Sequence, residues 1–300
     1  MQDNSIQKTA VALGFFDGLH LAHIQVLENA LKKNGKMRPA VLLFSEHPQR
    51  VLRGISVPGL LQTQKRDEIL LGLGFEIHTL PFSDIKDETP EEFFEKIITA
   101  RLNAGFISCG YNYRFGKNGA GDTAVLDKLC KKNGIELCVC PKVTLNGEAV
   151  SSTAIRNAVA IGDIQKANAM LGRPFSFSAP VFDGDHRGRT LGAPTVNQYL
   201  PENFAVPAFG VYVSAVKING RLYRGVTNIG NRPTFDGESV RSETFIMDFS
   251  GNLYGQNIET RLYSFIRKER RFESVEALKA QIQRDAGTAA AFEVPDFLTE

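Results

Sequence analysis

What this chain lacks narrows its role before any motif is considered. No apolar stretch approaches the roughly 20 residues that a membrane-spanning helix needs, so no membrane association is expected. The opening residues MQDNSIQKTA are polar and carry none of the apolar segment that directs export. A cytoplasmic protein is the expectation. Neither charge sign dominates. The 35 Lys and Arg against 33 Asp and Glu leave a formal net charge of +2, so general nucleic-acid binding has no electrostatic case and any basic site is local. Cysteine is scarce: Cys109, Cys130, Cys138 and Cys140 are the four in the chain, without the paired Cys or His spacings of a zinc site. Cys138 and Cys140 alternate within ELCVC and share one face of a strand. They read as ordinary thiols in a reducing compartment. Internal repeats and low-complexity segments are absent too.

What remains is an ordinary globular composition, 43% hydrophobic and 23% charged over 300 residues, long enough for two domains that each bury a core. From residue 8 to about 140, strand and helix patterns alternate. TAVALG is a strand and Leu19–Lys33 a helix. AVLLF is a strand, QKRDEILLGLG a helix and FEIHTLPF a strand. TPEEFFEKIITARL, GFISCG, DTAVLDKLCKKNG and IELCVC continue the alternation. Thr89-Pro90-Glu91-Glu92 starts a helix with an N-cap threonine, a proline at the first position and acids in the first turn. Such alternation predicts a parallel sheet with helices on both faces, whose ligands bind beyond the carboxyl ends of the strands. From about 175 to 265 the pattern becomes short β-type runs broken by glycine turns, with Asn219-Gly220 as the strongest hairpin signal. This predicts a small closed β-barrel and a final helix over SVEALKAQIQRDAGTAAAF. The boundary is expected near Arg173, giving domains 1–173 and 174–300.

The stretch VALGFFDGLHLAH, Val11–His23, carries the most chemistry. A strand breaks at Gly14, turns through Phe15-Phe16-Asp17-Gly18 and opens a helix with His20 and His23 on one face. The helix N-terminus presents unpaired N–H groups and roughly +0.5 of an elementary charge, so the histidines complete a site for a phosphate under attack. Gly14 and Gly18 can adopt left-handed angles and let a phosphate approach the main chain, and Asp17 is a candidate cap of the helix. Ser151-Ser152-Thr153 before AIRNAVAIG, with Arg156 one turn in, is either a second phosphate cradle or a simple N-cap. GYNYRFGKNGAGD follows the strand GFISCG and offers a wall for an aromatic ligand. It is not a P-loop, because its glycine spacing is wrong and Asn118 follows Lys117 where serine or threonine is required. In the second half, the glycine-bounded loop Gly184–Arg189 suits a diphosphate. Thr195 and Asn197 emerge on one face of an extended segment, where two neutral oxygens suit Mg²⁺.

These segments together resemble the bifunctional riboflavin kinase/FAD synthetase family of bacteria over essentially the whole length. The family's usual GNFDGVHLGH, FEPHP, FRFG and SSTRIR stand here as GFFDGLHLAH, FSEHP, YRFG and SSTAIR. GRTLGAPTVN, GVTNIGNRPTF, SETFIMDFSGNLYG and FIRKERRFESVEALKAQIQRD follow in the family's order. The resemblance implies an α/β chain: a Rossmann-like nucleotidyltransferase domain with a parallel sheet, then a Greek-key antiparallel β-barrel with a terminal helix. It implies two Mg²⁺-dependent reactions, riboflavin to FMN and FMN to FAD, with ATP, riboflavin and FMN as substrates. His20 and His23 would stabilise the α-phosphate of ATP. Gly14, Phe16, Asp17, Gly18, Asn112, Arg114, Ser151, Ser152, Thr153 and Arg156 would hold nucleotide and flavin. In the barrel, Glu243 matches the general base and Thr195 and Asn197 the Mg²⁺ ligands. Gly184, Gly188 and Arg189 would cover the phosphates, and Asn228 and Arg267 would complete the binding site. A cytoplasmic monomer or weak homo-oligomer is expected, without nucleic-acid or membrane partners.

Phe15, Ala22 and Ala154 replace a usual asparagine, glycine and arginine of the family motifs. One alternative is therefore a riboflavin kinase whose adenylyltransferase is weakened or lost. A flavin- or RNA-binding regulator without turnover, and a different adenylyl or cytidylyl transfer, are the others.

Overall fold

In a computed structural model the chain is described over residues 7–182, 195–234 and 237–295. It forms two compact units, Met1–Val57 with Thr63–Val150, and Pro58–Gln62 with Ser151–Glu300.

The first unit is built on a five-stranded parallel sheet of β1 (Thr9–Leu13), β2 (Arg38–Phe44), β3 (Glu76–Leu80), β4 (Ala104–Gly110) and β5 (Glu136–Cys140), in the order β3-β2-β1-β4-β5. The central strands β1 and β4 are apolar along both faces, as a sheet covered on both sides requires. Val11, Leu13, Leu42, Ile107 and Cys109 pack against Phe93, Phe94, Ile98, Leu126 and Cys130. The helices are α1 (Leu21–Leu31), α2 (Pro48–Arg53), α3 (Thr63–Gly72), α4 (Pro90–Phe93) and α5 (Thr123–Asn133). The start expected at Thr89 is a full capping box: Glu92 N–H donates to Thr89 Oγ1 at 3.2 Å, and Thr89 N–H to Glu92 Oε2 at 2.9 Å. Beyond Phe93 the helix widens into a π-type segment, Phe94–Arg101, ending with Leu102 N–H on Ile97 O. A short hairpin, β6 (Thr144–Leu145) and β7 (Glu148–Ala149), completes the unit. The strand order reverses between β1 and β4, so the turn after Leu13 and the loop after Gly110 leave the sheet side by side.

The second unit begins with α6 (Ser152–Ile161) and α7 (Ile164–Leu171). Asn168, fully buried, ties α7 to the sheet by donating to Leu262 O at 2.9 Å and accepting from Phe175 N–H at 2.7 Å. Strands β8 (Phe175–Pro180), β9 (Thr195–Tyr199), β10 (Gly210–Ile218), β11 (Arg221–Thr234), β12 (Gly237–Ile246) and β13 (Asn257–Arg267) form one antiparallel sheet, ordered β8-β13-β10-β11-β12-β9. The run β13-β10-β11-β12 has the spatial order of a Greek key. The sheet curls until its edges meet. Phe182 N–H donates to Asn197 O at 3.0 Å, and the buried Gln198 amide donates to Ala179 O at 2.7 Å and Ile258 O at 2.8 Å. Asn219 and Gly220, at φ +49° and +81°, close the β10–β11 hairpin at the pair Ile218–Arg221, as expected. Val216, Ile218, Ile246 and Ile258 line the inside, while Val211, Val213, Ala215 and Val226 face out against α8 (Val275–Ala291). Pro58–Gln62 joins this unit because Gln62 exchanges two hydrogen bonds with the Ser178 backbone, at 2.9 and 2.7 Å.

Candidate active sites

In the first unit the turn after β1 is held from below by Phe16. Its ring is fully buried, lies against Gly14 and sits 5.3 Å from the His23 ring. A Cβ on Gly14 would come within 3.1 Å of that ring, so this glycine serves close packing and leaves the left-handed angle open to it unused. Gly18 does take that angle, at φ +84°, and so do Phe16 at +56° and Leu19 at +41°. Two bulky residues in this region mark a backbone held against its preference, as functional turns often are.

The helix begins later than expected. His20 is its N-cap, with extended angles, and α1 starts at Leu21. His20 Nδ1 accepts the His23 N–H at 3.3 Å, so the capping role for which Asp17 is a candidate belongs to His20. Asp17 is buried beside it. With Nδ1 used as an acceptor, the His20 proton sits on Nε2. The two imidazoles stack nearly parallel, with centroids 3.6 Å apart at 13°. The shared face expected from their spacing is therefore realised by stacking at the helix entrance. Phe15 meets the His47 ring edge-on at 4.5 Å, and His47 caps α2 by accepting Gln49 N–H at 3.1 Å. The FSEHP segment thus borders the same turn.

The loop after β4 carries Asn112 and Arg114, both exposed. Arg114 lies 3.8 Å from Asp122, the N-cap of α5. Hydrogen bonds from the Val125 and Ala124 backbone, with Arg114 adding to them, hold the Asp122 carboxyl below the usual carboxylate range. The Arg114–Asp122 pair is solvent-screened and weak, which leaves the guanidinium open to a ligand. Tyr113 packs against Phe115 behind this loop, and burial raises its hydroxyl pKa. No group of three His, Cys, Asp or Glu side chains that could hold a metal occurs among the described residues.

Ser151–Arg156 lies in the second unit. Ser151 caps α6, accepting Ala154 N–H at 3.2 Å, and Arg156 Nε donates to Pro58 O at 2.7 Å. The Ser151 hydroxyl thus accepts as a cap, and Arg156 ties α6 to Pro58. Ser152 and Thr153 occupy the first turn.

The barrel's candidate residues form a row across its outer face. In register, Asn197 on β9 pairs with Glu243 on β12, Glu243 with Asn228 on β11, Asn228 with Val211 on β10, and Val211 with Arg267 on β13. Directly opposed residues of antiparallel strands point to one side. Thr195, two residues before Asn197, faces the same way and donates from Oγ1 to Glu243 Oε1 at 3.3 Å. Glu243 sits inside β12 and takes its place in the row through the strand register. Asn197 is buried, and its Oδ1 has no hydrogen-bond partner among the described residues. A buried acceptor without a donor is costly, and a hard cation satisfies it; with the Thr195 hydroxyl it supplies the neutral oxygens that Mg²⁺ accepts. Asn228 donates from Nδ2 to Glu269 Oε1 at 2.8 Å. Arg267 makes a two-pronged ion pair with Asp285 of α8, at 2.8 Å from NH2 and 3.2 Å from Nε, anchoring the end of the row to the terminal helix. Gly184, Gly188 and Arg189 lie outside the described residues.

Two family profiles divide the chain: FAD synthetase matches residues 2–154 and riboflavin kinase residues 171–292. The chain is 35% identical to the bifunctional riboflavin kinase/FMN adenylyltransferase of Listeria monocytogenes, covering 94% of this chain and 91% of that one. The chain belongs to the bifunctional riboflavin kinase/FMN adenylyltransferase family. The Bacillus subtilis member is 35% identical over 95% of this chain and 92% of its own. A solved structure named as a macrolide-efflux protein from Streptococcus pneumoniae shares the fold, with a TM-score of 0.88, 31% identity and 97% coverage of both chains. No described helix is long and apolar enough to cross a membrane. Within the family's two-domain plan, the residue that sequence reading missed is Glu269. Its only signal was its place two residues after Arg267 in FIRKERRF.

Proposed function

We infer that this chain performs two ATP-dependent steps of flavin cofactor synthesis, phosphorylation of riboflavin to FMN and adenylylation of FMN to FAD. We assign adenylyl transfer to residues 1–173 and phosphorylation to 174–300. The profile boundaries at 154 and 171 support that division.

The cross-strand row Asn197–Glu243–Asn228, with Thr195 on Glu243, is the observation that carries the kinase reading. Glu243 takes the proton of the terminal ribityl hydroxyl as that oxygen attacks the γ-phosphorus of ATP. One P–O bond forms, the bond to the bridging oxygen breaks, and ADP leaves. A placed base of this kind typically contributes about 10²–10⁴-fold. Thr195 and Asn197 would hold Mg²⁺, which neutralises phosphate charge when bound. The Gly184–Arg189 loop would cover the phosphates, and Arg267 shapes the far end of the row through Asp285.

In the first unit an oxygen of the FMN phosphate attacks the α-phosphorus of ATP and pyrophosphate leaves. FMN is already ionised, so no carboxylate base is needed. Catalysis is positioning and electrostatic stabilisation. His20 donates from Nε2–H, His23 stacks beside it, and the α1 N–H groups add their partial charge. The turn Gly14–Gly18, with Phe16 and Asp17, brings backbone close to the phosphates; Asn112 and Arg114 contact flavin or triphosphate. Ser151, Ser152, Thr153 and Arg156 are assigned to phosphate holding by the family motif.

A cytoplasmic location and a monomeric or weakly associated state complete the reading. Incubating the purified protein with riboflavin, ATP and Mg²⁺ should give FMN and then FAD by chromatography, with ADP and pyrophosphate. FMN without FAD, even from supplied FMN, would leave the kinase alone.

A further inference from the structure

One carboxylate beside the barrel row has no part in that scheme. Glu269 follows β13 and is exposed, yet its Oε1 takes the Asn228 amide hydrogen at 2.8 Å. It reaches Asn228 by lying across Gly230. A Cβ there would stand 2.3 Å from Glu269 Oε1 and 2.9 Å from its Cδ, and no L side chain fits without moving the carboxylate. Asn228 is directly opposite Glu243 in the strand register, a separation of about 4.5–5.5 Å between Cβ atoms. Its Oδ1 is buried and has no hydrogen-bond partner among the described residues.

An amide is a donor at one end and an acceptor at the other, and what binds one end decides which atom faces the other way. Glu269 accepts only, so it fixes the NH₂ toward itself. The carbonyl oxygen is then turned to the other side, as an acceptor waiting for a donor. Next to the base that activates a hydroxyl, the donor of matching chemistry is a neighbouring hydroxyl of the same polyol chain.

We propose that Glu269 is a positioning residue for the kinase step: through Asn228 it presents a carbonyl acceptor to the ribityl hydroxyl next to the one that is phosphorylated. This rests on the kinase reading of the second unit. Gly230 belongs to the device, because its missing side chain is what lets the carboxylate lie there.

Three variants test it: Glu269→Ala, which removes the acceptor; Glu269→Gln, whose side-chain oxygen can still accept the amide hydrogen; and Gly230→Ala, which keeps the carboxylate but displaces it. Steady-state kinetics of FMN formation and quenching of riboflavin fluorescence on binding are the readouts. Melting curves and FAD formation from supplied FMN report folding. Glu269→Ala and Gly230→Ala should each raise the riboflavin KM and dissociation constant about tenfold, the loss of one hydrogen bond, with the ATP KM unchanged. Glu269→Gln should stay within about twofold of the parent. A normal riboflavin KM in Glu269→Ala overturns the proposal. So does Glu269→Gln as weak as Glu269→Ala, because charge rather than orientation would then be at work. A loss falling equally on ATP overturns it as well. A parent protein that binds riboflavin without phosphorylating it fails the kinase reading instead, and that result is read separately.

Discussion

At the scale of single residues, the two halves ask different things of their side chains. Glu243 is needed as a carboxylate, because only an ionised oxygen takes the ribityl proton. Glu243→Gln keeps size and most hydrogen-bonding capacity, so it should lower FMN formation by at least about 10²-fold while leaving FAD formation from supplied FMN intact. Both products measured on the one variant check this; loss of both in a folded protein would break the division of labour. His20 has two duties that can be separated. As an N-cap it contributes the order of 1 kcal/mol, and as a phosphate donor it is expected to contribute about 10²–10³-fold in rate. His20→Asn supplies a favoured cap without the imidazole, so its melting temperature should stay near the parent's while FAD formation falls by about that factor. His20→Ala should lose stability as well. Thermal melts beside FAD assays on both variants distinguish the two duties.

At the scale of elements, the alternating half was readable because strand and helix periods differ and proline, glycine and threonine mark the ends. The six-residue α2 leaves no helical signal in the sequence, since PQRVLR is too short to show a period. Its cap and that of α1 are histidines, outside the usual Ser, Thr, Asp and Asn set. This is why the sequence pattern points to a helix start at Leu19, two residues early, and to Asp17 as the candidate cap. In the barrel, Thr195, Asn197 and Glu243 could be named from motif blocks, but their alignment with Asn228 and Arg267 depends on pairing between distant strands, and Glu269 joins through a contact over Gly230. The four thiols are free, with Cys109, Cys130 and Cys140 buried and Cys138 partly exposed. Burial pushes Cys109 up to about 12 and Cys130 to about 11. An unfolded cysteine ionises near pH 8.5, so the folded chain keeps protons that the unfolded one loses. The stabilising contribution is full below about pH 8.5 and is lost as pH climbs toward the folded values. The melting temperature should fall above pH 9, and Cys109→Ala should flatten that fall. At pH 8, iodoacetamide should modify Cys138, the least buried of the four, before Cys109 or Cys130. Mass spectrometry of partially labelled protein reads the order.

At the scale of the whole molecule, the question is whether FMN must stay with the polypeptide that made it. Each unit has its own core, and each candidate set of reacting groups, the stacked histidines and the Glu243 row, lies within one unit. If the two chemistries are independent, a chain lacking one and a chain lacking the other should together do both. Glu243→Gln is expected to make FMN at least about 10²-fold more slowly, and a variant with both His20→Asn and His23→Asn to adenylylate it at least about 10²-fold more slowly. Mixed in equal amounts with riboflavin, ATP and Mg²⁺, they should produce FAD, after a lag in which FMN accumulates in solution. The steady rate should rise with the concentration of the Glu243→Gln chain. A physical linkage raises the local concentration of an intermediate only when geometry lets it pass between sites, so the comparison with the parent chain measures that benefit directly. A lag of equal length in the parent means that FMN equilibrates with solvent, and fusion then serves matched supply of the two activities. A parent without a lag, whose FAD formation resists an added trap for free FMN, means direct passage. No FAD from the mixture, with each variant retaining its own partial reaction, would show that the two steps cannot be divided between chains.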